Sequence, residues 1–415
     1  MYDAIVVGAR CAGAPTAMLL ARKGYRVLLT DRATFPSDTI STHIVWQPGV
    51  ARLARWGLLG QVAASGCPPI RRLAFDTGPF ALTGTPPPAG DVAEAYAPRR
   101  TVLDTILVGA AVAAGAELRE GFPVTEVVTE GERVTGIRGR DPRGASVSER
   151  ARLVIGADGV RSIVARTVRA AAYHAKPTLA CWYYTYWSGI RAEGIELLDL
   201  GGRAGAVIPT NDGLVCLPVA VPHRELHAFR ADLEGHYLQT IGRSPALAER
   251  VRAGRREQPF RAMADVPNLF RKPHGPGWAL VGDAGYHKDP VTAQGISDAF
   301  RDAETLVEAV DAGLGGRRPL DEALAEYEQR RNEAALPMYD YTCELAALEP
   351  PPPELEALFA ALRGNQADTD RFLGTITGTV SIPGFFAPAN IERILTGGLP
   401  APGWSASAAA PPAPP

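Results

Sequence analysis

Two glycines and a carboxylate near the start of the chain have the spacing of a dinucleotide-binding turn. The segment Gly8-Ala9-Arg10-Cys11-Ala12-Gly13 follows a short apolar run and precedes a stretch of small residues. Gly8 and Gly13 permit a tight turn and close helix packing, and the amino end of the helix offers N–H groups and a positive dipole to a pyrophosphate. Asp31 follows Gly8 by 23 positions, where a carboxylate can accept hydrogen bonds from ribose hydroxyls. This spacing predicts a dinucleotide site.

Arg10 stands where the fingerprint usually has its middle glycine. A side chain at this position weakens the match, but the guanidinium can lie over the pyrophosphate and make a charge-assisted contact. Arg32, directly after Asp31, is included in the predicted cofactor contacts. Taken alone, the segment also fits an ordinary glycine-rich turn of an α/β fold.

Two later segments strengthen the prediction. The first is Ile155-Gly156-Ala157-Asp158-Gly159-Val160-Arg161-Ser162, and the second runs from Ala279 to Ile296 and contains Gly282-Asp283. Together with the first motif they resemble the three fingerprints of single-component FAD-dependent aromatic hydroxylases, and of the related flavin halogenases and geranylgeranyl-reductase-like proteins. The resemblance covers about residues 1–340 and implies an FAD-binding fold.

The resemblance implies roles for several polar residues. Asp158 corresponds to the motif associated with FAD and with the path of the nicotinamide cofactor, and Arg100 corresponds to an arginine that opens a helix beside FAD. Asp283, with Gly282 before it, is expected to accept hydrogen bonds from the ribityl hydroxyls. Arg161 and Ser162 can support the helix start or belong to an ordinary strand-to-helix turn. At Arg99 and Arg100 the alternative is a solvated arginine pair.

The segment after Asp283 is expected to lie against the flavin ring. It begins at Pro290 and leads through Gln294, Gly295 and Ile296 into a helix, whose first N–H groups can stabilise negative charge on the reduced flavin. The family's usual GDAAH arrangement is shifted by one residue here. His287 is therefore not expected to inherit the role of that histidine.

His43 lies in the loop Thr39-Ile40-Ser41-Thr42-His43, which related proteins bring over the flavin. It can bond to the flavin, gate its movement or shuttle a proton, since the usual pKa of histidine is near neutrality. If a phenolic substrate must be deprotonated, His43 is the first catalytic candidate. The alternative is that His43 caps the helix beginning near Gln47.

An aromatic run in the middle of the chain is the candidate substrate wall. In Trp182-Tyr183-Tyr184-Thr185-Tyr186-Trp187, strand geometry sends Trp182, Tyr184 and Tyr186 to one face. One such face can wall a flat apolar pocket, although the same residues can equally fill a core. The run differs from the WxWxIP signature of the halogenases, and no matching lysine-bearing loop is found.

The surrounding pattern predicts an α/β fold with a doubly wound, Rossmann-like FAD-binding domain. A strand at residues 2–7, a helix at 13–23 and a strand at 25–30 form the opening βαβ unit. We assign residues 1–69, 97–168 and 266–345 to the FAD-binding domain, and 70–96 and 169–265 to an antiparallel substrate sheet. Residues 346–398 are expected to be a helical C-terminal region, and 399–415 a flexible tail.

Composition excludes other classes of protein. The 43 basic and 45 acidic residues leave a net charge of −2, which argues against a nucleic-acid partner. Five scattered cysteines fit neither a disulfide framework nor a metal site, and they favour a reducing cytoplasm. The apolar stretch at 4–21 contains Arg10 and reads as a folded strand and helix, and no membrane-spanning segment is expected.

These observations lead to one main functional hypothesis. The resemblance implies an NAD(P)H-consuming FAD monooxygenase of secondary metabolism that hydroxylates an aromatic or polyketide-like small molecule with molecular oxygen, through a C4a-hydroperoxyflavin. NAD(P)H is expected to bind transiently, because FAD accounts for the one dinucleotide fingerprint. The alternatives are a flavin-dependent reductase of isoprenoid double bonds, a flavin halogenase, and a flavin redox sensor without turnover.

Overall fold

The computed structural model describes residues 1–397 and shows a mixed α/β fold. The predicted tail at 399–415 lies outside the described residues. The strands, numbered in chain order, are β1 (Tyr2–Val7), β2 (Val27–Thr30), β3 (Leu73–Asp76), β4 (Ala81–Gly84), β5 (Glu117–Arg119), β6 (Val124–Glu130), β7 (Arg133–Arg140), β8 (Ser146–Gly156), β9 (Ala172–Lys176), β10 (Ala180–Ser188), β11 (Ile195–Asp199), β12 (Ala204–Pro209), β13 (Val215–Pro222), β14 (Arg255–Arg256), β15 (Arg261–Met263), β16 (Asn268–Arg271), β17 (His274–Gly275), β18 (Trp278–Leu280) and β19 (Tyr286–His287).

The helices lie between these strands and after them. They are α1 (Gly13–Arg22), α2 (Gln47–Arg55), α3 (Leu59–Ala64), α4 (Arg100–Ala113), α5 (Ile163–Thr167), α6 (Leu226–Ala231), α7 (Leu233–Ile241), α8 (Pro245–Ala253), α9 (Gly295–Leu314), α10 (Leu320–Ala346), α11 (Pro353–Leu362), α12 (Gln366–Thr377), α13 (Ile382–Phe385) and α14 (Pro388–Leu395). No helix among residues 1–397 is both long enough and apolar enough to span a membrane.

The first sheet has a parallel centre that brings the three motifs together. Strand β1 pairs in parallel with β2 and β8, and β18 pairs in parallel with β8. The carboxyl ends of β1, β8 and β18 therefore lie side by side, and each is followed by one of the motifs. Helices α1, α4 and α9 cover one face, whereas the β6–β7 hairpin and α5 cover the other.

The second sheet carries the aromatic strand. Its order is β14-β10-β13-β12-β11-β3-β4, with β15 beside β10, and its pairs are antiparallel except for β11 with β3. The face that bears Tyr184 and Tyr186 packs against the helices that follow α10, and the opposite face packs against α6, α7 and α8. The predicted antiparallel sheet and helical C-terminal region are thus confirmed.

One detail differs from the expectations. Strand β9, which we placed with the substrate sheet, pairs instead with β16, which also pairs with β19, in a separate small sheet. Two helices have local features of their own. Helices α2 and α3 are separated by a turn at Gly57, which has a φ of +80°. Helix α10 continues through Pro337, because the following turns bury Tyr339 and Cys343 against the small sheet, which offsets the lost backbone hydrogen bond.

Candidate cofactor and substrate site

A cavity of about 660 Å³ lies where the two sheets meet. Thirteen of the predicted site residues line it: Gly8, Arg10, Asp31, Arg32, Arg100, Asp158, Trp182, Tyr184, Gly282, Asp283, Pro290, Gly295 and Ile296. The other predicted residues, Gly13, His43, Tyr186 and Gln294, do not line it. The structure thus brings the three motifs and two of the aromatic residues to one cavity.

The two glycines of the first motif let the turn pack closely. Gly8 has a φ of +100°, and a Cβ there would lie 2.4 Å from the carbonyl oxygen of Ala157. A Cβ on Gly13 would lie 1.7 Å from the oxygen of Gly8, so Gly13 acts beneath the turn and not on the cavity surface. Close packing of this kind leaves the amino end of α1 open to the cavity and fits a bound pyrophosphate.

Asp31 connects the turn to the end of β2. Its Oδ2 accepts a hydrogen bond of 2.8 Å from the N–H of Ala9, and its Oδ1 accepts one of 2.8 Å from the N–H of Ala33. A carboxylate oxygen has two lone pairs, so both oxygens can still accept a hydroxyl. The geometry therefore suits a ribose while also explaining how the carboxylate is held.

Arg10 is held by an acid that the sequence reading missed. Its Nη1 donates to Asp104 Oδ2 at 2.6 Å, and its Nη2 donates to Ser37 Oγ at 3.0 Å. Arg100 donates to the other oxygen of Asp104 at 3.0 and 3.1 Å, and Asp104 is fully buried. The i,i+4 spacing of Arg100 and Asp104 on α4 was the available signal. The Arg10 guanidinium is thus anchored at the cavity wall, and its contact with pyrophosphate stays a prediction.

Asp158 has one oxygen occupied and one free. The Oδ2 atom accepts from the N–H of Ile163 at 2.6 Å, at the start of α5. The buried Oδ1 atom has no hydrogen-bond partner within residues 1–397, and burial raises the pKa of the carboxyl. A buried acceptor without a partner is costly, but Oδ1 has almost no surface open to the cavity, so a contact between Asp158 and FAD stays a prediction.

Asp283 projects into the cavity from a short turn after β18. Gly282 has a φ of +60°, and a Cβ there would lie 2.7 Å from the Cβ of Ala12, so this turn packs directly on the start of α1. Desolvation raises the pKa of Asp283 to about 6, although Lys288 and Arg100 act in the opposite direction. The side chain is exposed to the cavity, where ligand hydroxyls can reach it.

The segment that enters α9 is strongly anchored. Ala293 adopts the left-handed conformation with a φ of +52°, and a Cβ on Gly295 would meet no atom within 4 Å. Gln294, which we predicted to bind the cofactor, turns its side chain away, since its Nε2 donates to the Ile376 oxygen at 2.6 Å. The first N–H groups of α9 can therefore face a ligand at Gly295 and Ile296, but the Gln294 side chain is engaged elsewhere.

His43 lies behind the cavity wall. The ring is fully buried, its Nε2 is 2.5 Å from the hydroxyl of Tyr186, and its φ is +65°. Burial, with Arg100 and Arg99 nearby, lowers the pKa of His43 to about 3, so the ring is neutral at physiological pH. Helix α2 has Trp46 at its N-cap, which removes the alternative that His43 caps it. The preceding residues 39–42 line the cavity instead.

The residues of the aromatic strand alternate between two faces as predicted, but the three on the shared face divide between the cavity and the core. Trp182 and Tyr184 line the cavity, whereas Tyr186 is buried behind them beside His43. Tyr184 accepts a hydrogen bond of 3.2 Å from the N–H of Ser41, and burial raises its pKa to about 12. Both interpretations of the strand therefore apply: two of its residues form a pocket wall, and the third belongs to the core.

Curated relatives of the chain include a halogenase, a reductase and a monooxygenase. A tryptophan 2-halogenase of Chondromyces crocatus is 25% identical over 349 residues, covering 78% of this chain but only 64% of the relative. A menaquinone reductase of Mycolicibacterium smegmatis is 26% identical over 327 residues, covering 75% of this chain and 76% of the relative. A rifampicin monooxygenase of Streptomyces venezuelae is 28% identical over 396 residues, covering 87% of this chain and 75% of the relative.

Solved structures share the fold at lower identity. The flavoprotein/dehydrogenase of Cytophaga hutchinsonii has a TM-score of 0.81 at 18% identity, covering 95% of this chain and 99% of that one. The flavin-dependent brominase Bmp2 has a TM-score of 0.80 at 20% identity, covering 95% of this chain and 98% of that one. Residues 1–342 match the model of the family described as FAD binding domain. The chain therefore belongs to the FAD binding domain family of flavin-dependent oxidoreductases.

Proposed function

We propose that this protein is an NAD(P)H-consuming FAD monooxygenase that hydroxylates an aromatic or polyketide-like small molecule. The observation that carries the proposal is the shared cavity, in which residues of the three FAD motifs face Trp182 and Tyr184. A flat ligand against these two rings would lie beside the segment that enters α9. The relative named as a rifampicin monooxygenase supports the same reaction class.

Bound FAD would supply the oxidation chemistry, taking electrons from NAD(P)H and reacting with oxygen. The protein would bind and orient it: Asp31 is suited to the ribose, Asp283 to the ribityl chain, and the amino end of α9 to negative charge on the reduced ring. Trp182, Tyr184, Pro218 and Met263 contribute an aromatic and apolar wall. Such a wall favours a flat organic substrate and limits access of water.

His43 has a positioning role in this proposal. Its neutral ring bonds to Tyr186 behind the wall, and Tyr184 in turn holds the Ser41 N–H of the cavity-lining loop. The lowered pKa makes His43 a weak proton acceptor at neutral pH. We therefore place it as a support for the loop and the aromatic wall.

The test is a consumption and product screen with the FAD-loaded protein. Candidate phenols, polyketide-like aromatics, quinones and prenyl compounds are supplied with NADH or NADPH, and oxygen uptake, cofactor oxidation and product mass are measured. We expect an aromatic compound to stimulate both consumptions and to gain one oxygen atom. Oxygen-independent reduction of a prenyl compound, halide incorporation, or no ligand-dependent consumption would each overturn the proposal.

A pair of variants separates the pocket from the fold. Tyr184→Leu removes a cavity-lining ring, and we expect it to lower kcat/KM for an accepted aromatic about tenfold or more. Tyr183→Leu changes the neighbouring residue on the opposite face, which packs on Phe229 at a ring distance of 4.4 Å. We expect Tyr183→Leu to lower the free energy of unfolding while the folded protein keeps nearly the wild-type kcat/KM.

A further inference from the structure

A buried carboxylate, Asp289, joins the aromatic strand to the segment that enters α9. Its Oδ1 accepts a hydrogen bond of 2.9 Å from the indole N–H of Trp182 and one of 3.0 Å from the N–H of Val291. The backbone N–H of Asp289 donates to Asn268 Oδ1 at 2.6 Å. Only 4% of Asp289 is exposed, although it contributes to the cavity lining. One oxygen of Asp289 thus accepts hydrogen bonds both from strand β10 and from the turn that precedes α9.

The segment between Asp289 and α9 has little freedom to absorb a displacement. Asp289 caps the short turn Pro290–Thr292, and the Thr292 oxygen accepts the indole N–H of Trp46 at 3.0 Å. The Thr292 hydroxyl also lies 2.8 Å from that of Thr342. Ala293 and Gln294 follow directly, the first in the left-handed conformation and the second bound to the C-terminal helices. A shift of Asp289 would therefore be passed on to the amino end of α9.

We propose that Asp289 is a positioning residue through which Trp182 of the substrate wall holds the flavin-side turn in place. The hydrogen bond from Trp182 fixes the Asp289 carboxylate, and the carboxylate fixes the turn through Val291. Trp182 thus contributes to FAD binding through Asp289, in addition to walling the pocket. A ligand that packs on the indole acts on the same connection.

The experiment measures FAD affinity by a double-mutant cycle. Apoprotein of the wild type, Trp182→Phe, Asp289→Ala and the double variant is titrated with FAD, and the change in flavin fluorescence gives each Kd. Alanine removes the Oδ1 acceptor that both N–H groups use. We expect each single variant to bind FAD about tenfold more weakly, the scale of one lost hydrogen bond. The double variant should bind no more weakly than Asp289→Ala, because both changes break one connection.

Trp187→Phe is the matched control. Trp187 lies on the same strand and is buried to 7% exposure, close to the 6% of Trp182, but it faces the other way and donates to the hydroxyl of Tyr237 at 3.3 Å. We expect this variant to keep the wild-type FAD affinity. Its unfolding midpoint shows how much a lost indole bond costs the fold alone.

Two results would overturn the inference: a wild-type FAD affinity for Trp182→Phe, or losses that multiply in the double variant. If Asp289→Ala does not fold by circular dichroism, the comparison of Trp182→Phe with Trp187→Phe still decides, since equal affinities would refute the connection. The inference rests on FAD occupying the proposed site. It does not require hydroxylation, so a failed substrate screen leaves these affinities as an independent test.

Discussion

Asp283→Asn should affect the apoprotein and the FAD complex in opposite directions. The substitution removes the carboxylate charge while keeping nearly the same size. Desolvation raises the pKa of Asp283 from its usual 3.8 to about 6. At about 1.4 kcal/mol per pKa unit this shift would correspond to roughly 3 kcal/mol. Because the side chain is exposed to the cavity, water screens the charge. We therefore expect the ionised Asp283 carboxylate to destabilise the wild-type apoprotein by about 1 kcal/mol.

The sign of the pH dependence follows from this shift. Native Asp283 holds its proton more tightly than the unfolded chain does, so its contribution to stability falls as pH rises from about 4 to about 6. Asparagine does not titrate, so the stability of the Asp283→Asn variant does not fall in this way. Its apoprotein should therefore be more stable than the wild type by about 1 kcal/mol at pH 8, and by less at pH 5.

FAD binding should respond the other way, because the variant loses a charged acceptor for the ribityl hydroxyls. We expect the Kd for FAD to rise about tenfold or more. Urea unfolding of the apoprotein at both pH values and a fluorescence titration with FAD measure the two effects. Asp265→Asn, at an exposed position, should change neither. A stability difference that is equal at both pH values would refute the pKa argument, and an unchanged FAD affinity would refute the assigned contact.

Three further substitutions test the local geometry. Gly8→Ala places a Cβ 2.4 Å from the Ala157 oxygen at a φ of +100°, and should lower the free energy of unfolding by about 2 kcal/mol or more in urea melts; an unchanged midpoint would contradict the close packing. Ala293→Gly relieves a left-handed alanine and should raise stability by about 0.5 kcal/mol, whereas a lower melting temperature would argue against strain at this residue. His43→Asn serves to assign the His43 ring resonance by NMR. In the wild type that resonance should not titrate between pH 5 and 8, and a midpoint near 6.5 would exclude the buried neutral ring.

The parts of the fold that depend on neighbouring residues were predictable. Gly8, Gly13 and Asp31 lie within one βαβ unit, so their spacing constrains both the turn and the strand end. The resemblance to the three family fingerprints placed Asp158 and Asp283 at the same cofactor. The structure gives the reason, because each residue follows a parallel strand whose carboxyl end lies at the same edge of the sheet as that of β1.

Side-chain partners from distant segments were not predictable in this way. His43 and Tyr186 are 143 positions apart, and Trp182 and Asp289 are 107 apart. Alternation along β10 predicted which residues share a face, but not that Tyr186 would be covered while Tyr184 stays at the cavity. Whether Tyr186 is buried depends on how the loop before α2 and the helices after α10 pack against it. The local sequence of β10 carries no information on that packing.

The distribution of charge explains how a protein of net charge −2 can hold a cofactor with two phosphates. The acids Asp31 and Asp283 stand at strand ends and line the cavity, where neutral hydroxyl donors of a dinucleotide can reach them. Phosphate oxygens need donors instead, and the amino end of α1 provides N–H groups beside Arg10, which shares the Asp104 carboxylate with Arg100. Binding then depends on local hydrogen bonds more than on a long-range positive field. FAD affinity should accordingly fall little with added salt, whereas Asp283→Asn should weaken it at every ionic strength.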